Sequence, residues 1–138
     1  MRIRHVIGAF GAAFTLGVAV PVAAEGSGEA VTAHFEQAVP NIPGKSLVAL
    51  VVDYAPGAST PPHTHAKSAF IFAYVLSGEI ESRVNNGPTR TYRTGQSWSE
   101  TPGDSHPVSR NPSTTNPAKL LAVFVVDTGD KDLVIPVK

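Results

Sequence analysis

The chain has 138 residues, 42% of them apolar and 16% charged. This is a globular balance, with length for one domain with a real core but not for two. Eleven basic and eleven acidic residues cancel with no basic run, which argues against nucleic acid as a partner. Cysteine is absent, so disulfides and thiolate metal sites are excluded, and a metal would have to be held by histidine, carboxylate or carbonyl groups.

Met1-Arg2-Ile3-Arg4-His5 is a short basic opening, followed by a small-residue apolar run from Val6 to Val20 and then Val22-Ala23-Ala24. The pattern predicts a signal peptide over residues 1–24, cleaved after Ala24, and a periplasmic or secreted bacterial protein. The apolar run is shorter than the roughly 20 residues of a spanning helix, so no stable membrane insertion is expected after cleavage. Residues 25–44 read as a polar leader, an edge strand over 30–38 and the loop Pro40-Asn41-Ile42-Pro43-Gly44. The main domain is placed at 45–138.

Within that domain, residues 46–54 (SLVALVVDY) are β-branched and apolar, a strand. Residues 56–62 form a Gly/Pro-rich turn. The run AFIFAYVL at 69–76 is apolar on both faces. It is expected to be a strand buried on both sides, or one whose outer face meets another sheet or subunit. The second case implies a homodimer through sheet packing. Residues 79–84 alternate, Asn85-Asn86-Gly87 signals a hairpin, and 89–93 return. Short strands follow at 96–100 and 106–109, and a last strong one at 119–127 (KLLAVFVVD). No helical periodicity is found outside the leader. Many short strands with frequent turns predict an all-β sandwich or barrel.

Two histidines, His63 and His65, follow the Gly/Pro turn one residue apart. On a strand, i and i+2 share a face, so both imidazoles can enter one space. His106, after the turn Thr101-Pro102-Gly103-Asp104-Ser105, can join them from a neighbouring strand. Three imidazoles around one point suit a divalent metal ion. His34 lacks such a setting and reads as a surface residue of the edge strand. Tyr54, Tyr74 and Tyr92 read as packing residues with satisfied hydroxyls. Arg83, Arg90 and Arg93 read as solvent-facing.

These residues resemble the cupin superfamily, in particular small bacterial single-domain cupins of the quercetin-dioxygenase-like type. Gly57, His63-Thr64-His65 and Gly78 match its first motif, and Gly95, Gly103 and His106 match its second. The resemblance implies an antiparallel cupin-type β-barrel or jelly roll, with His63, His65 and His106 as metal ligands. The glutamate of the first motif is missing, its slot being held by Ile71, or by Ala69 or Phe70 when counted forward from His65. Glu100 is a substitute if the face it shares with Trp98 points inward, because a buried carboxylate needs a cation or donor partner. Ile71 and Trp98 are then pocket residues.

Such a centre accepts iron, manganese, nickel, zinc or copper without selecting among them. It would attract a small anionic organic molecule and act as a Lewis acid or, with iron, in dioxygenase-like chemistry. The alternative is a non-catalytic module of the cell envelope that binds or senses metal or ligand.

Overall fold

The computed structural model describes residues 22–23 and 28–138. Most of the expected signal peptide lies outside the described residues. Among the described residues thirteen strands follow one another: β1 (Val22–Ala23), β2 (Glu29–Ala38), β3 (Lys45–Tyr54), β4 (Ser59–Thr60), β5 (His63–His65), β6 (Phe70–Ser77), β7 (Glu79–Arg83), β8 (Arg90–Arg93), β9 (Ser97–Glu100), β10 (Ser105–His106), β11 (Val108–Arg110), β12 (Ala118–Asp127) and β13 (Val134–Pro136). Every pairing is antiparallel. The expected all-β, antiparallel class is what the chain adopts.

One six-stranded sheet has the order β1-β2-β3-β12-β6-β9. A four-stranded sheet, β4-β11-β7-β8, and a three-stranded one, β10-β5-β13, complete the barrel. The core follows from alternation along each strand. β12 buries Ala118, Leu120, Ala122, Phe124 and Val126 and turns its other side chains outward. β3 contributes Val48, Val52 and Tyr54, β6 contributes Ile71, Ala73 and Val75, and Ile80 of β7 closes the far side.

The β6 run is buried on one face only. Ile71, Ala73 and Val75 point in, whereas Phe70, Phe72 and Leu76 stand exposed. Of the two readings of this doubly apolar strand, burial on both sides within one chain is therefore not what is found. His34 is exposed, beside the irregularity that shifts the β2–β3 register between Ala33 and Phe35.

Two turns fix the frame around the site. Asn85 takes a φ of 52° in the β7–β8 connection, the left-handed conformation that asparagine tolerates. Gly78 joins β6 to β7 with a φ of 70°, and a Cβ there would lie 2.7 Å from the Pro117 carbonyl oxygen. Only glycine fits both conditions.

Prolines shape the strand pair that carries the histidines. His63 pairs with His106 and Thr60 with Ser109, in one continuous register. Between these pairs lie Pro61 and Pro62 on one strand and Pro107 on the other, which lack the N–H a ladder needs. The pairing breaks there, and β4–β11 and β5–β10 fall into different sheets. Residues three apart on a regular strand face opposite sides. Here Thr60 and His63 both line the interior, as do His106 and Ser109, so the strands turn over at the prolines.

Candidate metal centre

The barrel encloses a cavity of about 780 Å³, walled by apolar side chains that include Leu50, Ile71, Leu120 and Phe124. His63, His65 and His106 meet on its lining, their candidate donor atoms all within 4.8 Å of one another. That is close to the span of about 4 Å covered by the ligands of one ion held at about 2.1 Å. Ring centroids of His63 lie 4.8 Å from His65 and 5.0 Å from His106.

Backbone carbonyls fix two of the three rings. His63 Nδ1 donates to the Pro61 carbonyl at 2.9 Å, and His65 Nδ1 donates to the Leu133 carbonyl at 3.0 Å. A carbonyl only accepts, so both Nδ1 atoms carry the proton, and a neutral ring then has its lone pair on Nε2. Metal-binding histidines are held in this way, with the distal N–H anchored and the other nitrogen aimed at the ion. His106 is held at Nε2 by the Ser82 hydroxyl, 2.8 Å away. That hydroxyl can donate or accept, so this tautomer can adjust. Burial pushes His63 and His106 below their usual value, His106 to about 4. Both rings are thus neutral at pH 7, with lone pairs not taken by protons.

Glu100 is buried in the same cluster. Its Oε1 accepts the Trp98 indole N–H at 3.1 Å and lies 3.3 Å from His106 Nδ1, while its Oε2 lies 3.1 Å from His65 Nε2. Burial alone would raise this carboxyl, but the imidazoles of His65 and His106 and the Trp98 indole outweigh it and hold it below the usual range. The His65–Glu100 contact is close, yet does not meet hydrogen-bond geometry, and neither atom has another partner among the described residues. A carboxyl held low in this way has a proton between Oε2 and His65 Nε2 in the metal-free chain; with the ring neutral, two acceptors would face one another in this buried site. Such a pair needs a cation between its members, a proton or a metal ion. The three imidazoles could hold a divalent metal ion, and the Glu100 carboxylate lies against two of them.

Glu100 stands opposite the slot in which the glutamate of the first motif is missing. Ile71 of β6 and Glu100 of β9 are direct cross-strand partners, both buried. The carboxylate is displaced sideways by one strand and stays on the inward face. Trp98 and Ile71 line the cavity beside it. Arg90 and Arg93 are exposed as expected, but Arg83 is half-buried and its Nε has no hydrogen-bond partner among the described residues.

Sequence reasoning missed three contributors. The Leu133 carbonyl comes from the segment leading into β13, which pairs with β5. The signal that was available is the apolar stretch Leu133-Val134-Ile135, too short to show a period. Ser82 gave no sign beyond its alternating strand. A hydroxyl cluster of Tyr54, Thr60 and Ser109 also lines the cavity.

Residues 50–124 match the family described as "Cupin domain". A germin-like protein, subfamily 2 member 2, of Arabidopsis thaliana is 31% identical over 116 residues, covering 80% of this chain and 52% of that protein. The chain thus spans about half the length of that relative. Among solved structures, a conserved protein with a double-stranded β-helix domain from Klebsiella pneumoniae superposes with a TM-score of 0.63 at 19% identity, covering 85% of this chain and 91% of the other. An oxalate oxidase in complex with the substrate analogue glycolate gives a TM-score of 0.63 at 23% identity, covering 91% and 62%. These two likenesses establish the shared fold.

Proposed function

Since the chain belongs to the cupin domain family, we propose that it is a metal-dependent enzyme acting on a small organic acid, with His63, His65, His106 and Glu100 as ligands of a divalent ion. One observation carries this reading. His65 Nε2 and Glu100 Oε2 lie 3.1 Å apart, both buried and neither in a hydrogen bond among the described residues, and an ion between them satisfies both. When bound, the ion supplies Lewis acidity, favouring an anionic oxygen beside it and stabilising charge that develops there. Three neutral imidazoles and one carboxylate leave a divalent site with a net charge of roughly +1.

The remaining roles fall to the chain itself. The Pro61 and Leu133 carbonyls orient the imidazoles, the Trp98 indole holds Glu100, and Ile71, Leu120 and Phe124 exclude water. The likeness to oxalate oxidase favours a carboxylate as the bound group, and the metal, substrate and reaction are part of the proposal.

The experiment offers oxalate, glycolate and a catechol, flavonol and diketone panel to protein loaded in turn with iron, manganese, nickel, zinc and copper. Oxygen uptake and products are followed. Metal-dependent turnover that disappears in His63→Ala supports the enzyme. Tight metal binding without turnover across the panel contradicts it, and leaves a binding or sensing module.

The cell envelope or exterior is proposed as the location, on the strength of the leader pattern. Cell fractionation of the full chain against one lacking residues 1–24 tests this. A homodimer is proposed through the outer face of the larger sheet, where exposed Phe70 and Phe72 adjoin Val125 and Val123 of β12.

A further inference from the structure

The cavity carries a second polar station, which the imidazole cluster does not use. The hydroxyl of buried Tyr54 lies 2.6 Å from Thr60 Oγ1 and 2.9 Å from Ser109 Oγ, and Thr60 Oγ1 donates to Glu29 Oε2. All four residues line the cavity. Chemistry sets the donor sense. An ionised carboxylate only accepts, so the Thr60 proton goes to Glu29. The Thr60 oxygen then accepts from Tyr54, and Tyr54 accepts from Ser109. Burial pushes the Tyr54 hydroxyl up to about 12, so it stays protonated and keeps the chain intact.

Ser109 is the head of this chain. Its only proton is committed to Tyr54, and among the described residues nothing donates to its oxygen. It therefore presents acceptor lone pairs to the cavity. Its distance from the metal centre follows from the register. Thr60–Ser109 and His63–His106 are cross-strand pairs three residues apart, which sets them no more than roughly 10 Å apart along the chain. Much of the other lining is apolar, including Val31, Val52, Ala73 and Leu120.

Resting on the metal-centre reading above, we propose that Ser109 is a second recognition point that accepts a hydrogen bond from a hydroxyl of the bound molecule. The ligand class is then an organic acid whose hydroxyl stands roughly 5 Å from its carboxylate, because a hydrogen bond of about 2.8 Å at one end and a metal–oxygen bond of about 2.1 Å at the other take up the rest, such as a hydroxybenzoate. Tyr54, Thr60 and Glu29 are positioning residues, acting through Ser109 by fixing where its proton points.

The test is isothermal titration calorimetry of the metal-loaded chain with three probes: para-hydroxybenzoate, para-methoxybenzoate and benzoate. The hydroxyl probe is expected to bind about threefold to tenfold more tightly than the others, the worth of one hydrogen bond. Ser109→Ala should erase that preference and leave metal uptake unchanged. Thr60→Val cuts the chain from Glu29, which lets Tyr54 turn its proton onto Ser109 and Ser109 donate into the cavity. The preference should then move to the methoxy probe, whereas a merely structural role would weaken all three alike. Thr60 is half-buried, and its variant serves should Ser109→Ala not fold. The proposal is overturned if the wild-type chain shows no hydroxyl preference, including by binding none of the probes, or if Ser109→Ala keeps it. Failure of the metal centre itself appears earlier, as no uptake of manganese or zinc before any probe is added. The probes are then titrated into the metal-free chain and judged by the same criteria.

Discussion

Glu100→Gln changes one buried oxygen to an amide nitrogen at constant shape, and it isolates the charge. In the wild-type chain the carboxylate accepts from Trp98 and lies 3.1 Å from His65 Nε2 and 3.3 Å from His106 Nδ1. With His63 and His106 neutral, Glu100 is the only anion among these four side chains. Loss of even a supporting group at a metal site weakens binding about 10- to 100-fold, and loss of a charged ligand belongs at or above the upper end. At a metal concentration of about 1,000 times Kd, binding stabilises the fold by about 4.1 kcal/mol. A hundredfold weaker site leaves about 1.4 kcal/mol. For a domain of this size the difference is about 10 °C in Tm. The assay is thermal unfolding of the metal-free and metal-loaded chains, with Asp127→Asn as an exposed control. The metal-induced rise in Tm should shrink by about 10 °C in Glu100→Gln and stay unchanged in the control. Equal rises in wild type and Glu100→Gln would refute the placement of Glu100 beside the ion.

Four further outcomes are expected. Because Ile71 faces Glu100 across β6 and β9, Glu100→Ile should abolish tight metal binding, and adding Ile71→Glu should restore much of it in equilibrium dialysis. No recovery would argue against a shared inward position. In the metal-free chain, burial depresses His106 from 6.5 to about 4, so the unfolded state binds this proton first as pH falls. Stability should therefore drop on acidification between about pH 6.5 and 4, by about 3 kcal/mol from this residue. Urea midpoints should show a flatter profile for His106→Gln, and an identical profile contradicts the assignment. Gly78→Ala places a Cβ 2.7 Å from the Pro117 carbonyl at a positive φ and should cost about 1–3 kcal/mol by denaturant unfolding; a neutral effect would show that the turn relaxes freely. Phe72→Asp on the outer sheet face should convert a dimer to a monomer in sedimentation velocity, with metal uptake retained. An unchanged sedimentation coefficient removes that face from any interface.

The strands with strong alternation or long apolar runs were legible in the sequence, and so were the three histidines. His63 and His65 share a face because they are two apart, and His106 follows a glycine-bearing turn in a recognisable position. Glu100 was legible as a candidate because Trp98, two residues earlier, shares its face. Its standing opposite Ile71 was not, because cross-strand register is set by pairing between segments far apart in the chain. The same limit hid the Leu133 carbonyl and β13, whose partner β5 lies about 70 residues earlier in the chain. The Ser109–Tyr54–Thr60–Glu29 chain escaped notice because Thr60 and His63, three residues apart, would face opposite sides of a regular strand. Of the prolines that turn the strands over, Pro61 and Pro62 were read only as a turn and Pro107 only as part of a strand. For the β6 run, composition alone could not say which face meets the core, since both faces are apolar.

The most direct measurement is metal uptake by the untagged chain, stripped with chelator, dialysed against each divalent ion and analysed for metal content. One ion per chain is expected, retained after dialysis at pH 7 and lost in each of His63→Ala, His65→Ala and His106→Ala. Equal metal content in the variant lacking all three imidazoles, or none in the wild-type chain, would contradict the account.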